Sequence, residues 1–213
     1  GFLGRADAKD KNLKSFGPAR VCVKDGTTTL KNLQKKKKNE YPDLIPVPFQ
    51  SAKTLMEGFF LQKCDLLTAD KTILATTRMV GDVAKEHFVL LPETVSKEPL
   101  ALSVRDDDPQ WFSIVRWSTL VMIKAEEKGI TSANVDSFAN STDPEIRLLL
   151  GFEGGLGDAL GLDNAWAMRI IHAVGNYGEV FDRNLGPNTP MGMERGENQL
   201  WSKGGLMYSP PVR

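Results

Sequence analysis

Apolar and polar positions along the chain fall into two regimes. Up to about residue 98, apolar runs of strand length alternate with stretches of helical period. Val21 to Lys24 is the first clear strand; Gly1-Phe2-Leu3 is compatible with another, and Gly17-Pro18 punctuates the chain between them. The strand breaks at Asp25-Gly26, and a helix is predicted from about Thr28 into Lys35 to Lys38. A second strand, Leu44 to Phe49, is interrupted by prolines, which cannot donate to a ladder, and so belongs at a sheet edge. A helix from Ser51 to about Phe60 sets Ala52, Leu55, Met56 and Phe59 on one face. Cys64 to Asp70 reads as a third strand ending in an acid, a helix starts near Lys71, and His87 to Leu91 is a fourth strand before Pro92. Strands alternating with helices predict a parallel sheet, so Gly26 and Asp70 both fall at carboxyl ends of strands, the edge where ligands bind in such sheets.

After Glu98-Pro99 the pattern changes. Leu100 to Val104 reads as one more strand, and Asp106-Asp107-Asp108-Pro109 as a turn that caps a long helix from Pro109 to about Lys128. Consecutive aspartates cannot all face one ion, and no ligand loop follows, so capping is preferred to a metal site. Along that helix Trp111, Ile114, Val115, Ser118, Val121, Met122 and Ala125 form one stripe that needs a cover. Further helices are predicted over Ser132 to Phe138, Pro144 to Leu150, Asn164 to about Val174 and Tyr177 to Arg183, ahead of a Gly/Pro-rich tail. Gly154-Gly155-Leu156-Gly157 has no strand before it and reads as a loop.

Lys plus Arg equals Asp plus Glu over 213 residues, so no global field favours nucleic acid or an anionic membrane. The lysine run reads as a solvated helix end, where cations are favoured. No apolar run approaches the roughly 20 residues of a membrane-spanning helix, and the opening GFLGRADAKDKNLK lacks the apolar core of a signal peptide. The two cysteines, Cys22 and Cys64, sit in no CxxC or Cys/His cluster, which argues against zinc. His87 and His172 are the only histidines, and His172, inside an apolar helical run, is expected to pack against a helix neighbour. No nucleophile-elbow, zincin, Walker or dinucleotide pattern occurs in usable context, so no catalytic step and no cofactor are expected.

The stretch Val21 to Leu30, VCVKDGTTTL, carries the most chemistry. A strand that stops at glycine beside a helix start leaves backbone N–H groups unpaired and partial positive charge pointing outward, a seat for a carboxylate or phosphate. Taken alone, the motif favours the plainer reading, Thr27 or Thr28 capping its own helix.

With VCVKDGTTTLKNL, KCDLLTAD, LLPETVSKEPLALSVRDDDPQWFSIVRW, AEEKGITSANVD, DPEIRLLLG, LGLDNAWAMRIIHAVGNYGEVFDRN and RGENQLWSKGGLMYSPPVR in order over residues 20 to 213, the chain resembles the periplasmic general L-amino-acid-binding proteins of ABC importers. The segment from Lys71 to Glu86 and the lysines at 35 to 38 depart from that pattern. The resemblance implies two α/β lobes joined by crossing strands. Residues 1–18 would be a leading and crossing segment, 19–97 the second lobe, and 98–213 a return strand with C-terminal helices that pack on the first lobe, most of which the sequence does not contain.

It further implies binding of an L-amino acid, a membrane permease as partner, and a periplasmic or secreted location. The backbone and hydroxyl donors of Gly26, Thr27, Thr28 and Thr29 would receive the ligand carboxylate and Asp70 its ammonium; Asp70 also reads as a helix N-cap. A Cys22–Cys64 disulfide is predicted, because the two precede the ligand turns on strands expected to be neighbours and export permits oxidation; the alternative is two buried thiols. The cover for the Trp111 to Met122 face would come from the C-terminal helices, self-association or an exchanged segment. The other reading is a truncated relative adapted to protein binding or enzyme inhibition.

Overall fold

The structure, a computed structural model, describes residues 1–8, 12–81 and 87–212. It divides into two compact units, Gly1–Leu100 and Ala101–Arg213.

In the first unit β1 (Phe2–Arg5), β2 (Ala19–Lys24), α1 (Thr28–Asn39), β3 (Leu44–Phe49), α2 (Ala52–Phe60), β4 (Leu66–Thr68), α3 (Lys71–Gly81) and β5 (Phe88–Leu90) follow in order. The strands form one sheet in the order β3-β2-β4-β1-β5. β2 pairs in parallel with β3 and β4, whereas β1 is antiparallel to both β4 and β5. The expected parallel sheet is thus mostly parallel, with one reversed strand set between β4 and β5. The proline-bearing β3 lies at the edge.

Period-two alternation sends neighbouring residues to opposite faces, and each face has its own core. Phe2, Val21, Val23 and Leu66 pack with Leu33 of α1. Leu3, Cys22 and Leu67 pack with Leu55 and Phe59 of α2 and Leu74 of α3. Cys22 and Cys64 form a disulfide. Beside it the main-chain N–H of Arg20 donates to Asp65 at 2.8 Å, and the guanidinium pairs with the same carboxylate at 3.1 Å. That hydrogen-bonded guanidinium holds Asp65 below the usual carboxylate range.

The second unit is helical: α4 (Pro109–Glu127), α5 (Pro144–Leu149), α6 (Leu156–Leu160), α7 (Trp166–Val174) and α8 (Tyr177–Asn184). Asp108 caps α4 by accepting from Trp111 N–H at 2.8 Å, and Asp143 caps α5, each followed by proline at the first helical position. Val121 and Ala125 are buried with Ile130, Leu149, Leu150, Trp166 and Ile171. α7 and α8 therefore cover the carboxyl-terminal half of the α4 stripe, but Trp111 at its other end is 51% exposed.

Several expectations are corrected. Leu100 to Val104 forms no strand; Leu100 and Leu102 stand exposed, with no ladder partner among the described residues. Ser132 to Phe138 is replaced by a turn and a 3-10 helix at Val135–Asn140. Part of the glycine-dense loop is helical, since Leu156–Leu160 forms α6 once Gly157 can approach the Asp163 backbone closely. His172 faces solvent, 3.8 Å from Asp136, because Ile171 takes the buried position of that turn. Residues 82–86, the end of the segment that departs from the family pattern, lie outside the described residues.

Candidate functional site

The carboxyl ends of β2, β3 and β4 share one edge of the sheet. The register Cys22 to Leu67, carried on past the strand ends, brings Asp25 level with Asp70, and Lys24 to Phe49 brings it level with Gln50. Gly26, at φ +70°, supplies the left-handed residue that turns the chain from β2 into α1, a conformation a Cβ disfavours. Asp25 closes the turn: Oδ1 accepts from Gly26 N–H at 2.8 Å and Oδ2 from Gln50 Nε2 at 2.9 Å.

Thr27 is the N-cap. Its Oγ1 accepts from Leu30 N–H at 3.3 Å and donates to the Lys24 carbonyl at 2.7 Å. The Thr28 hydroxyl donates to Glu98 Oε2 at 2.8 Å, and Asn32, one helical turn on, donates to Oε1 at 3.1 Å. The N–H groups of Thr28 and Thr29 and the Thr29 hydroxyl have no hydrogen-bond partner among the described residues.

Asp70 stands half-buried at the start of α3. Its carbonyl accepts from Leu74 N–H at 2.9 Å, while its carboxylate makes no hydrogen bond among the described residues. The edge therefore presents open backbone donors at a helix N-terminus beside an open carboxylate. Such a pair complements a small molecule with an anionic and a cationic group close together.

The sequence singled out Gly26 to Thr29 and Asp70, and the structure brings them to one edge. It places the Gly26 N–H and the Thr27 and Thr28 hydroxyls in contacts within the chain. Asn32, Gln50 and Glu98 were missed. The i,i+4 spacing from Thr28 to Asn32 was a usable signal. Nothing local could have placed Glu98, 70 residues away from Thr28.

A concavity of about 520 Å³ lies elsewhere, in the helical unit. Three of its charged lining residues, Glu126, Glu179 and Arg195, are already used. Arg195 pairs with Glu126 through both oxygens at 3.1 Å, donates to the Asn198 carbonyl and lies over the Tyr177 and Phe181 rings, and Glu179 accepts from Ser132 and Asn176. We read it as structural. Among the described residues no group of three or more His, Cys, Asp or Glu could hold a metal ion.

No protein-family model matches the chain. The general L-amino acid-binding periplasmic protein AapJ of Rhizobium johnstonii is 43% identical over 215 aligned residues, which take in all of this chain and 63% of the relative. The glutamate/glutamine/aspartate/asparagine-binding protein BztA of Rhodobacter capsulatus is 44% identical over 214, again with all of this chain and 63% of the relative. The chain thus spans under two thirds of the length of these curated relatives. A periplasmic binding protein of an ABC transporter from Brucella ovis, solved with glutathione bound, superposes with a TM-score of 0.84 at 38% identity over all of this chain and 67% of that one. With these alignments extending over the whole chain, and with the shared fold, the chain belongs to the periplasmic binding proteins of ABC transporters.

Proposed function

We propose that this chain serves as ligand-binding material of an amino-acid ABC importer in the periplasm, delivering its ligand to a membrane permease. The ligand is a free L-amino acid or a molecule ending in one. Its carboxylate is received by the N–H groups of Thr28 and Thr29 and the Thr29 hydroxyl, with Gly26 and Thr27 holding the turn. Its ammonium is received by Asp70. The observation that carries this reading is the open Asp70 carboxylate beside open donors of the α1 N-terminus. The relatives support the ligand class by name, and the glutathione of the Brucella protein ends in a glutamyl group with a free ammonium and carboxylate. Binding without chemical change is the activity.

The test is titration of the chain with a panel of L-amino acids and glutathione, followed by the amide signals of residues 26–29. Shifts confined to that turn, weakened by Asp70→Asn and absent with amino-acid amides that lack the carboxylate, support the site. Binding that ignores both changes sinks it.

A further inference from the structure

A carboxylate of the chain itself already lies against the first turn of α1. Glu98 belongs to residues 91–108, which form no regular element, yet its two oxygens are fixed: Oε2 by the Thr28 hydroxyl at 2.8 Å, and Oε1 by Asn32 Nδ2 at 3.1 Å and by the Ser96 hydroxyl at 3.3 Å. The helix end favours an anion there. Thr28 and Asn32 lie on one face of α1, so they act as a pair of donors.

We propose that Glu98 is a built-in competitor for the ligand, an internal carboxylate that lies against the first turn of α1 beside the open N–H groups of Thr28 and Thr29 and must leave, or be displaced, when the ligand carboxylate arrives. The inference rests on the reading of residues 26–29 as the carboxylate seat. Two carboxylates close together at one helix end repel each other, and Thr28, whose hydroxyl holds Glu98, is the residue whose N–H is assigned to the ligand. The strap therefore lowers apparent affinity by the fraction of molecules in which it is open. If it is closed in about nine molecules of ten, affinity falls about tenfold. It also ties ligand arrival to release of the segment around Ser96 to Pro99.

The experiment follows the amide signals of Thr28 and Thr29 in the chain while acetate, L-alanine and L-glutamate are titrated in, for the parent, Glu98→Ala, Glu98→Gln and Asp70→Asn. Glu98→Ala is expected to bind acetate and both amino acids about tenfold more tightly. Glu98→Gln, which keeps acceptor capacity without the charge, is expected to fall between. Unchanged or weaker binding in Glu98→Ala overturns the competition and makes Glu98 a residue that positions Thr28; Asp70→Asn weakening the amino acids in the same series would still leave the amino-acid site standing. Tighter acetate binding in Glu98→Ala, with amino acids no better than acetate and indifferent to Asp70→Asn, upholds the strap and removes the amino-acid reading. No perturbation of Thr28 or Thr29 in any variant rejects both.

Discussion

A carboxylate at the first turn of a helix ordinarily caps it, and Asp70 was open to that reading. Its charge acts favourably on the nearby Gly1 ammonium, but its side chain makes no capping bond and no close ion pair among the described residues. Asp70→Asn is accordingly expected to change stability by less than about 0.5 kcal/mol, the range of substitutions away from structural features. Urea unfolding checks this; a loss of several times that amount would return Asp70 to a structural role. Thr27 is the opposite case. Sequence left it between cap and ligand contact, and its two bonds, from Leu30 and to Lys24, make it the cap. The chemistry at this scale was readable where partners are close in sequence, as with Thr27 and Leu30. It was unreadable at Glu98, whose partners lie across an irregular connection.

Elements were legible where burial and period agree. β2, with Val21, Cys22 and Val23 fully buried, and α1 after its threonine cap follow directly from the pattern. Leu100 to Val104 is apolar enough for a strand but pairs with none among the described residues, and an apolar run alone makes no strand. The reversed β1 was equally hidden, since strand direction depends on where a leading segment is inserted. Within the sheet, the disulfide ties β2 to the turn before β4, and so links the two strands that end at Gly26 and Asp70. Closing a loop over a separation of 42 residues is worth roughly 3–4 kcal/mol on the chain-entropy model. Denatured, unreduced protein should show no reactive thiol, and reduction should lower the urea midpoint of the sheet unit; two titratable thiols would remove the bridge.

In the helical unit, Lys124 and Lys128 of α4 and its cap pair with Glu145 at 2.6 and 2.5 Å, and Lys128 reaches Asp143 at 3.1 Å. Hydrogen bonds from Lys124 and Lys128 hold Glu145 below its ordinary 4.5, and one from Lys128 holds Asp143 below 3.8. Carboxylates depressed in the folded state stabilise it fully above those ordinary values and lose that contribution as pH falls through the folded ones. Stability of this unit should therefore decline on acidification below the ordinary carboxylate range. Lys124→Ala should flatten the decline, measured as denaturation midpoint against pH; an unchanged slope would assign the acid sensitivity to other groups.

At the scale of the molecule, family membership was readable from motifs spread over residues 20 to 213, whereas affinity depends on more than the motif. Every group assigned to the ligand belongs to residues 26–70; Thr28 is exposed, and Thr29 and Asp70 are only partly buried. A contact between exposed charges is worth at most about 1 kcal/mol, and immobilising the ligand costs at least about 4 kcal/mol. The 213-residue polypeptide by itself is thus expected to bind free amino acids with a Kd on the order of millimolar or weaker. A polypeptide extended to the length of its relatives should reach the micromolar range or below. Titration of both forms with the same L-amino acids decides it. Micromolar binding by the 213-residue form, lost in Asp70→Ala, would mean that these residues alone enclose the ligand.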